Sequence, residues 1–210
     1  FDLKNYTSPP TKIIAEVGIN HNGSHALLLQ LIDKACEHAD IIKLQFYQAS
    51  SRVGSSVRDV NYVEKAQDVE EDLFQILDRC ALSSSQLLLA VNRIKSFNKI
   101  PMCTPFDLES LYILLDNNIN YIKIASMDLN NVHLHKRLLS HNEPLNIFIS
   151  TGMSSLDEVI SVSRLYGNSH HSVTFLLCNS SYPTPVESVN LASLSIIKNL
   201  GFDVGYSDYT

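Results

Sequence analysis

The sequence predicts an α/β fold of repeating strand–helix units, on three observations. Short unbroken apolar runs recur along the chain (Ile-Ile-Ala, Ile-Ile-Lys-Leu, Asn-Ile-Phe-Ile), as in parallel strands buried on both faces. Amphipathic helical stretches separate these runs. Polar and charged residues gather at the C-terminal end of nearly every run.

The strands are expected at residues 12–19, 40–46, 100–104, 121–125, 145–150, 173–178 and 202–206. The first leaves through Glu16, Asn20 and His21 into an Asn22-Gly23 turn, followed by a helix over 24–38. The second carries Lys43 and Gln45, whose side chains face the same way because strand side chains alternate. A long interval then opens with a polar loop (Ser50, Ser51, Arg52, Gly54, Ser55, Ser56) and continues into helices over 69–80 and 84–96. Glu70, Glu71 and Asp72 complement the dipole at the start of the first of these. The third strand exits through Thr104 to Asp107, which caps a helix over 108–117. Lys123, Ser126 and Asp128 follow on the fourth, then Ser150 and Thr151 on the fifth. Ser154 or Ser155 makes a capping box with Glu158 ahead of a helix over 155–166. The sixth exit holds Asn179, Ser180 and Tyr182, and the seventh Ser207 and Asp208.

Such units build either an open doubly wound sheet or a closed barrel. No G-x-G-x-x-G follows the first strand, and strand-end polarity is where barrels keep their chemistry. The expectation is therefore a TIM (β/α)8 barrel, incomplete here. About seven strands are present, with the eighth strand and helices seven and eight missing. Phe1 in place of Met suggests a sequence cut at its start. The terminal strands would then be unpaired edges, making the 210-residue piece inactive and association-prone.

With 210 residues, 45% apolar and 18% charged, the chain is expected to fold as one globular domain. A net charge of −6 argues against nucleic-acid and anionic-membrane partners. Cys36, Cys80, Cys103 and Cys178 are widely spaced, as reduced thiols of a cytoplasmic protein are. No apolar run reaches membrane-spanning length, and no signal segment opens the chain. Lys43 and Lys123 each interrupt an apolar run beside hydroxyl residues. One alone reads as a strand-end lysine reaching for water; two at one barrel mouth favour an anion pocket.

The segments IIAEVGINHNG (13–23), IKLQ (42–45), CTPFD (103–107), IKIASMD (122–128), STGM (150–153), SYPTP (181–185) and GYSD (205–208) carry a resemblance. In order and spacing they resemble the sialic acid synthase family, which includes the legionaminic and pseudaminic acid synthases. The resemblance implies an N-terminal phosphoenolpyruvate-binding barrel over 1–210, truncated, with a C-terminal antifreeze-like (SAF) domain absent from this chain and a homodimer in the full-length protein. It implies condensation of phosphoenolpyruvate with an N-acylated amino sugar, giving a nonulosonic acid and phosphate. Phosphate and carboxylate would be held by Lys43, Thr104, Lys123, Ser126, Ser150 and Ser207. Gln45 and Tyr182 would lie beside the sugar, Ser180 would be a further substrate-binding residue, and Glu16 or Asp128 would manage the proton of the attacking water. A divalent metal, Mn or Mg, is implied too. Tyr209, however, stands where that family has a metal-binding histidine, and Leu177 where it has another histidine. A neutral phenol is a poor substitute for imidazole, so a weakened metal site is expected.

The remaining histidines read as structural. His25 and His38 are placed on the first helix, His133 and His135 on a helix surface, and His170 and His171 in a solvated loop. His21 either contacts substrate or orders its loop. Two other functions stay open: a Schiff-base aldolase using Lys123 or Lys43, and a non-catalytic sugar-binding remnant. The acceptor is N-acetylmannosamine, its 6-phosphate or a trideoxy diacetamido hexose.

Overall fold

A computed structural model describes residues 11–54 and 72–210. Seven strands lie side by side in chain order: β1 (Ile14–Glu16), β2 (Ile41–Phe46), β3 (Ile100–Pro105), β4 (Tyr121–Ile124), β5 (Asn146–Ser150), β6 (Ser172–Cys178) and β7 (Asp203–Ser207). Every neighbouring pair is parallel. The helices are α1 (His25–Cys36), α2 (Ala49–Arg52), α3 (Leu73–Cys80), α4 (Ser84–Ser96), α5 (Leu108–Asp116), α6 (Val132–Leu139), α7 (Leu156–Tyr166) and α8 (Ser193–Lys198). The sheet curls as a partial barrel. Tyr209, just past β7, senses the charge of Glu16 on β1, although these strands stand at opposite ends of the strand order.

Period-2 alternation decides what each strand contributes. Ile42, Leu44 and Phe46 of β2, Ile122 and Ile124 of β4, and Ile147 and Ile149 of β5 pack outward in one core. The helices contribute Leu28, Ile32, Leu87, Ile94, Leu111 and Leu138 to it. Each fully buried aliphatic side chain there contributes about 1.5–3 kcal/mol. The intervening positions, Lys43 and Gln45 on β2 or Lys123 on β4, turn to the barrel interior.

The capping expectations at Asp107 and Ser155 hold, and Ser155, not Ser154, completes the capping box with Glu158. Asp72 and Ser83 are N-caps as well, each closing a capping box. Glu70, Glu71, Ser55 and Ser56 lie outside the described residues. Asp107 does more than cap. One carboxylate oxygen accepts from the Ser110 amide at 2.7 Å, and the other accepts from the Gln48 amide at 3.0 Å. It thereby ties the exit of β2 to the start of α5. Asp107→Ala is expected to cost about 1–2 kcal/mol. Thermal unfolding would read this as a fall of about 2–4 °C per kcal/mol.

Several expectations are corrected. Ser50, Ser51 and Arg52, expected in a loop, form the single turn α2. His38 lies beyond the end of α1. His135 is not on a helix surface but 1% exposed. Its ring nitrogens lie 2.8 Å from the Tyr166 hydroxyl and 2.7 Å from the Leu129 carbonyl. It shares the buried face of α6 with Leu134 and Leu138. His171 is likewise buried, its Nδ1 accepting from the Leu145 amide and its Nε2 lying 2.8 Å from the Leu138 carbonyl. In both, partner carbonyls offset the cost of burying the ring.

Candidate active site

The strand ends bring the two lysines into one mouth. Lys43 and Lys123 are both buried, and Lys123 feels the charges of Lys43 and Glu16. Glu16, in register with Lys43 across β1 and β2, closes a 3.1 Å ion pair to its ammonium. Burial and then the neighbouring Lys43 charge push the Lys123 amine down to about 8, against the opposing pull of Glu16. The mouth thus contains two amines and one carboxylate, a balance suited to a further anion.

Hydroxyls complete it. Thr104 Oγ1 and Ser150 Oγ are buried and, among the described residues, have no hydrogen-bond partner. Leaving such a group unsatisfied costs about 1–3 kcal/mol, so both are poised for ligand oxygens. Ser207 is buried at the end of β7, in register with Cys178 of β6. Ser126 Oγ lies 3.2 Å from Cys178 Sγ. Gly152 closes the corner: a Cβ there would stand 2.7 Å from Ser180 Oγ, 2.8 Å from Ser126 Oγ and 2.9 Å from Cys178 Sγ. Gln45 faces the same mouth from β2, its Nε2 packed against Gly18.

Two expected site residues stand elsewhere on the rim. Among the described residues Asp128 makes no ion pair with either lysine; its charge neighbours are Arg52, His135 and Asp107, and Asn131 donates to its Oδ1 at 3.0 Å. Burial raises its carboxyl above the usual range. Tyr182 is 73% exposed, its ring 4.4 Å from that of Tyr209. His21 is buried and accepts from the Gly23 amide through Nδ1 at 3.2 Å, a loop-ordering bond. Leu177 packs against the outer core, on the opposite face of β6 from Cys178. It borders a cavity of about 550 Å3 that also touches Met153, Leu156, Ser180 and Ile196.

Sequence reasoning passed over Gly152, Cys178 and Arg52. Cys178 was visible only as a strand-end thiol, Gly152 only within its motif, and Arg52 only as one polar loop residue.

The donor set does not suit a divalent ion. Among the described residues no group of three His, Cys, Asp or Glu side chains is placed to hold one. Glu16 is engaged by Lys43. The Tyr209 phenol is pushed up by burial and by Tyr182 beside it, so it stays neutral.

The NeuB family model matches residues 31–210. The N,N'-diacetyllegionaminic acid synthase of Campylobacter jejuni is 32% identical over 205 residues, covering 95% of this chain and 61% of the relative. That of Legionella pneumophila is 33% identical over 205 residues, covering 94% and 57%. The crystal structure of N-acetylneuraminic acid synthetase from Leptospira borgpetersenii serovar Hardjo-bovis, in complex with citrate, has a TM-score of 0.83 at 28% identity. The match covers 96% of this chain and 66% of that one. The chain thus spans about three-fifths of the length of these curated relatives.

Proposed function

The chain belongs to the NeuB family of nonulosonic acid synthases, and from that premise we propose that it forms the phosphoenolpyruvate-binding barrel of an enzyme that condenses phosphoenolpyruvate with an N-acylated amino sugar. The observation that carries this reading is the shared mouth of Lys43 and Lys123, with the orphaned hydroxyls of Thr104 and Ser150. An ammonium 4 Å from a ligand charge contributes about 4 kcal/mol of gross attraction at an effective dielectric near 20. Desolvation takes part of that back.

In the proposed reaction the lysines and hydroxyls hold the phosphate and carboxylate. C3 of phosphoenolpyruvate forms a bond to the aldehyde carbon of the open-chain sugar, whose oxygen gains a proton. Water adds to C2, and phosphate leaves with cleavage of the C2–O bond. Glu16, beside Lys43, is better placed than Asp128 to take the proton of that water. Neutral Tyr209 near Glu16 supplies a hydroxyl rather than a charge.

The protein carrying this chain is expected to bind phosphoenolpyruvate in calorimetry and release phosphate only when an N-acylated amino sugar is added. Binding without release would instead indicate the sugar-binding remnant. One observation favours a second reading. A buried lysine lowered to about 8 has the profile of a Schiff-base nucleophile. Borohydride trapping with pyruvate and the sugar separates the two, because a covalent adduct on Lys123 belongs to the aldolase alone.

A further inference from the structure

The turn that carries Ser126 is held from behind by a line of buried hydrogen bonds. Ser126–Asp128 form one short 3-10 turn just after β4. The Asp128 amide donates to the Ala125 carbonyl at 2.9 Å, and the Leu129 amide donates to the Ser126 carbonyl at 3.2 Å. Among the described residues no backbone amide donates to the Leu129 carbonyl. It meets instead the ring of His135 on α6, whose Nε2 lies 2.7 Å away. A carbonyl oxygen only accepts, so Nε2 carries the ring proton and Nδ1 is left as an acceptor. The Tyr166 hydroxyl of α7, 2.8 Å from Nδ1, donates to it. Burial keeps the ring neutral, against the Leu129 carbonyl and the Asp128 charge, and keeps the Tyr166 phenol protonated. Donors thus point one way from α7 through α6 to the Ser126 backbone. The same turn is tied to α7 a second time, where Glu158 accepts from Asn130 at 2.6 Å.

On the reading just proposed, we infer that His135 and Tyr166 are positioning residues, whose relay fixes the turn after β4 so that the Ser126 hydroxyl stays in the anion pocket. That hydroxyl occupies a tight corner, 3.2 Å from Cys178 Sγ and 2.8 Å from where a Cβ on Gly152 would stand. A shift of about 1 Å in the turn is enough to spoil its geometry towards a ligand oxygen. Packing alone does not call for a histidine here. Leu134 and Leu138 share the same buried face of α6, and an apolar side chain could fill the space between them. What such a side chain cannot supply is the donor to the Leu129 carbonyl.

A double-mutant cycle on the protein carrying this chain tests the relay, with phosphoenolpyruvate as the calorimetric probe and Tm measured alongside. His135→Leu is expected to weaken phosphoenolpyruvate binding about tenfold, but less than about twofold in a Ser126→Ala background, where the positioned hydroxyl is gone. His135→Gln, whose amide can still donate to the Leu129 carbonyl, is expected to recover most of the affinity. Tyr166→Phe changes little volume and serves even if His135→Leu fails to fold. It is expected to weaken binding about threefold, again only when Ser126 is present. Equal losses with and without Ser126 would overturn the proposal. So would a lowered Tm with unchanged affinity in both His135→Leu and Tyr166→Phe, which would make the pair purely structural. Absence of phosphoenolpyruvate binding in the wild type is a different result: it removes the condensation reading, and the function of the relay with it.

Discussion

Lys123→Met removes phosphoenolpyruvate binding from the range of a calorimetric titration while leaving the barrel folded. The ammonium of Lys123 is held in the mouth at a cost, since burial and the Lys43 charge both oppose it. Its loss relieves that cost in the empty site and withdraws about 4 kcal/mol of gross attraction from the bound anion. That corresponds to an affinity loss of up to about three decades. The pH dependence follows in two opposite directions. Below about 8 the amine carries its proton and attracts the anion, so affinity is greatest there and declines as pH rises through 8. Stability runs the other way. The folded amine sits below its unfolded value of about 10.4, so the folded state binds fewer protons between these values and gains stability as pH climbs from 8 towards 10.4. In the wild type, calorimetry and thermal unfolding from pH 7 to 10 should show both trends; in Lys123→Met the rise in stability between pH 8 and 10 should be absent. A variant that still binds phosphoenolpyruvate tightly at pH 7 would remove the lysine from the pocket.

Gly152→Ala is expected to damage the site more than its one carbon suggests. The added Cβ would stand under 3.0 Å from Ser180 Oγ, Ser126 Oγ and Cys178 Sγ at once. Relief requires moving the Ser126 and Ser180 hydroxyls and the Cys178 thiol, which reach Gly152 from the β4 and β6 strand ends. Overpacking of this kind costs about 1–3 kcal/mol. Because the displaced atoms border the anion pocket, phosphoenolpyruvate affinity is expected to fall at least about tenfold, by calorimetry, beyond any change in Tm. Unchanged affinity with a lowered Tm would make Gly152 a packing residue only.

How far the sequence led can be traced through individual residues. On β2 the alternation of Ile42, Lys43, Leu44 and Gln45 carried both the strand and its two faces, because a period of two links local order to burial. Asp107 and Ser155 announced their helices because a cap acts within a few residues. What escaped depends on partners far along the chain. Arg52 owes its position to Tyr47 and Phe106, and the polar loop around it has no period to read. His135 is buried by Tyr166 of α7, and His171 by carbonyl and amide groups of α6 and the segment before β5. Asp128 shares a motif with Lys123 and Ser126, yet it sits in the turn after β4, where Asn131 donates to it and its charge couples to Arg52, His135 and Asp107. No local pattern encodes such a turn. The short α8 has only Ile197 buried and no side-chain cap, so neither helix signal marked it.

The most direct test of the account is a crystal structure of the protein carrying this chain with phosphoenolpyruvate bound. The account predicts the Nζ atoms of Lys43 and Lys123 both within hydrogen-bond distance of the ligand's phosphate or carboxylate oxygens, with Thr104 Oγ1 and Ser150 Oγ taking up partners among them. Phosphoenolpyruvate bound away from the strand ends, or held by one lysine with the other turned aside, would contradict it.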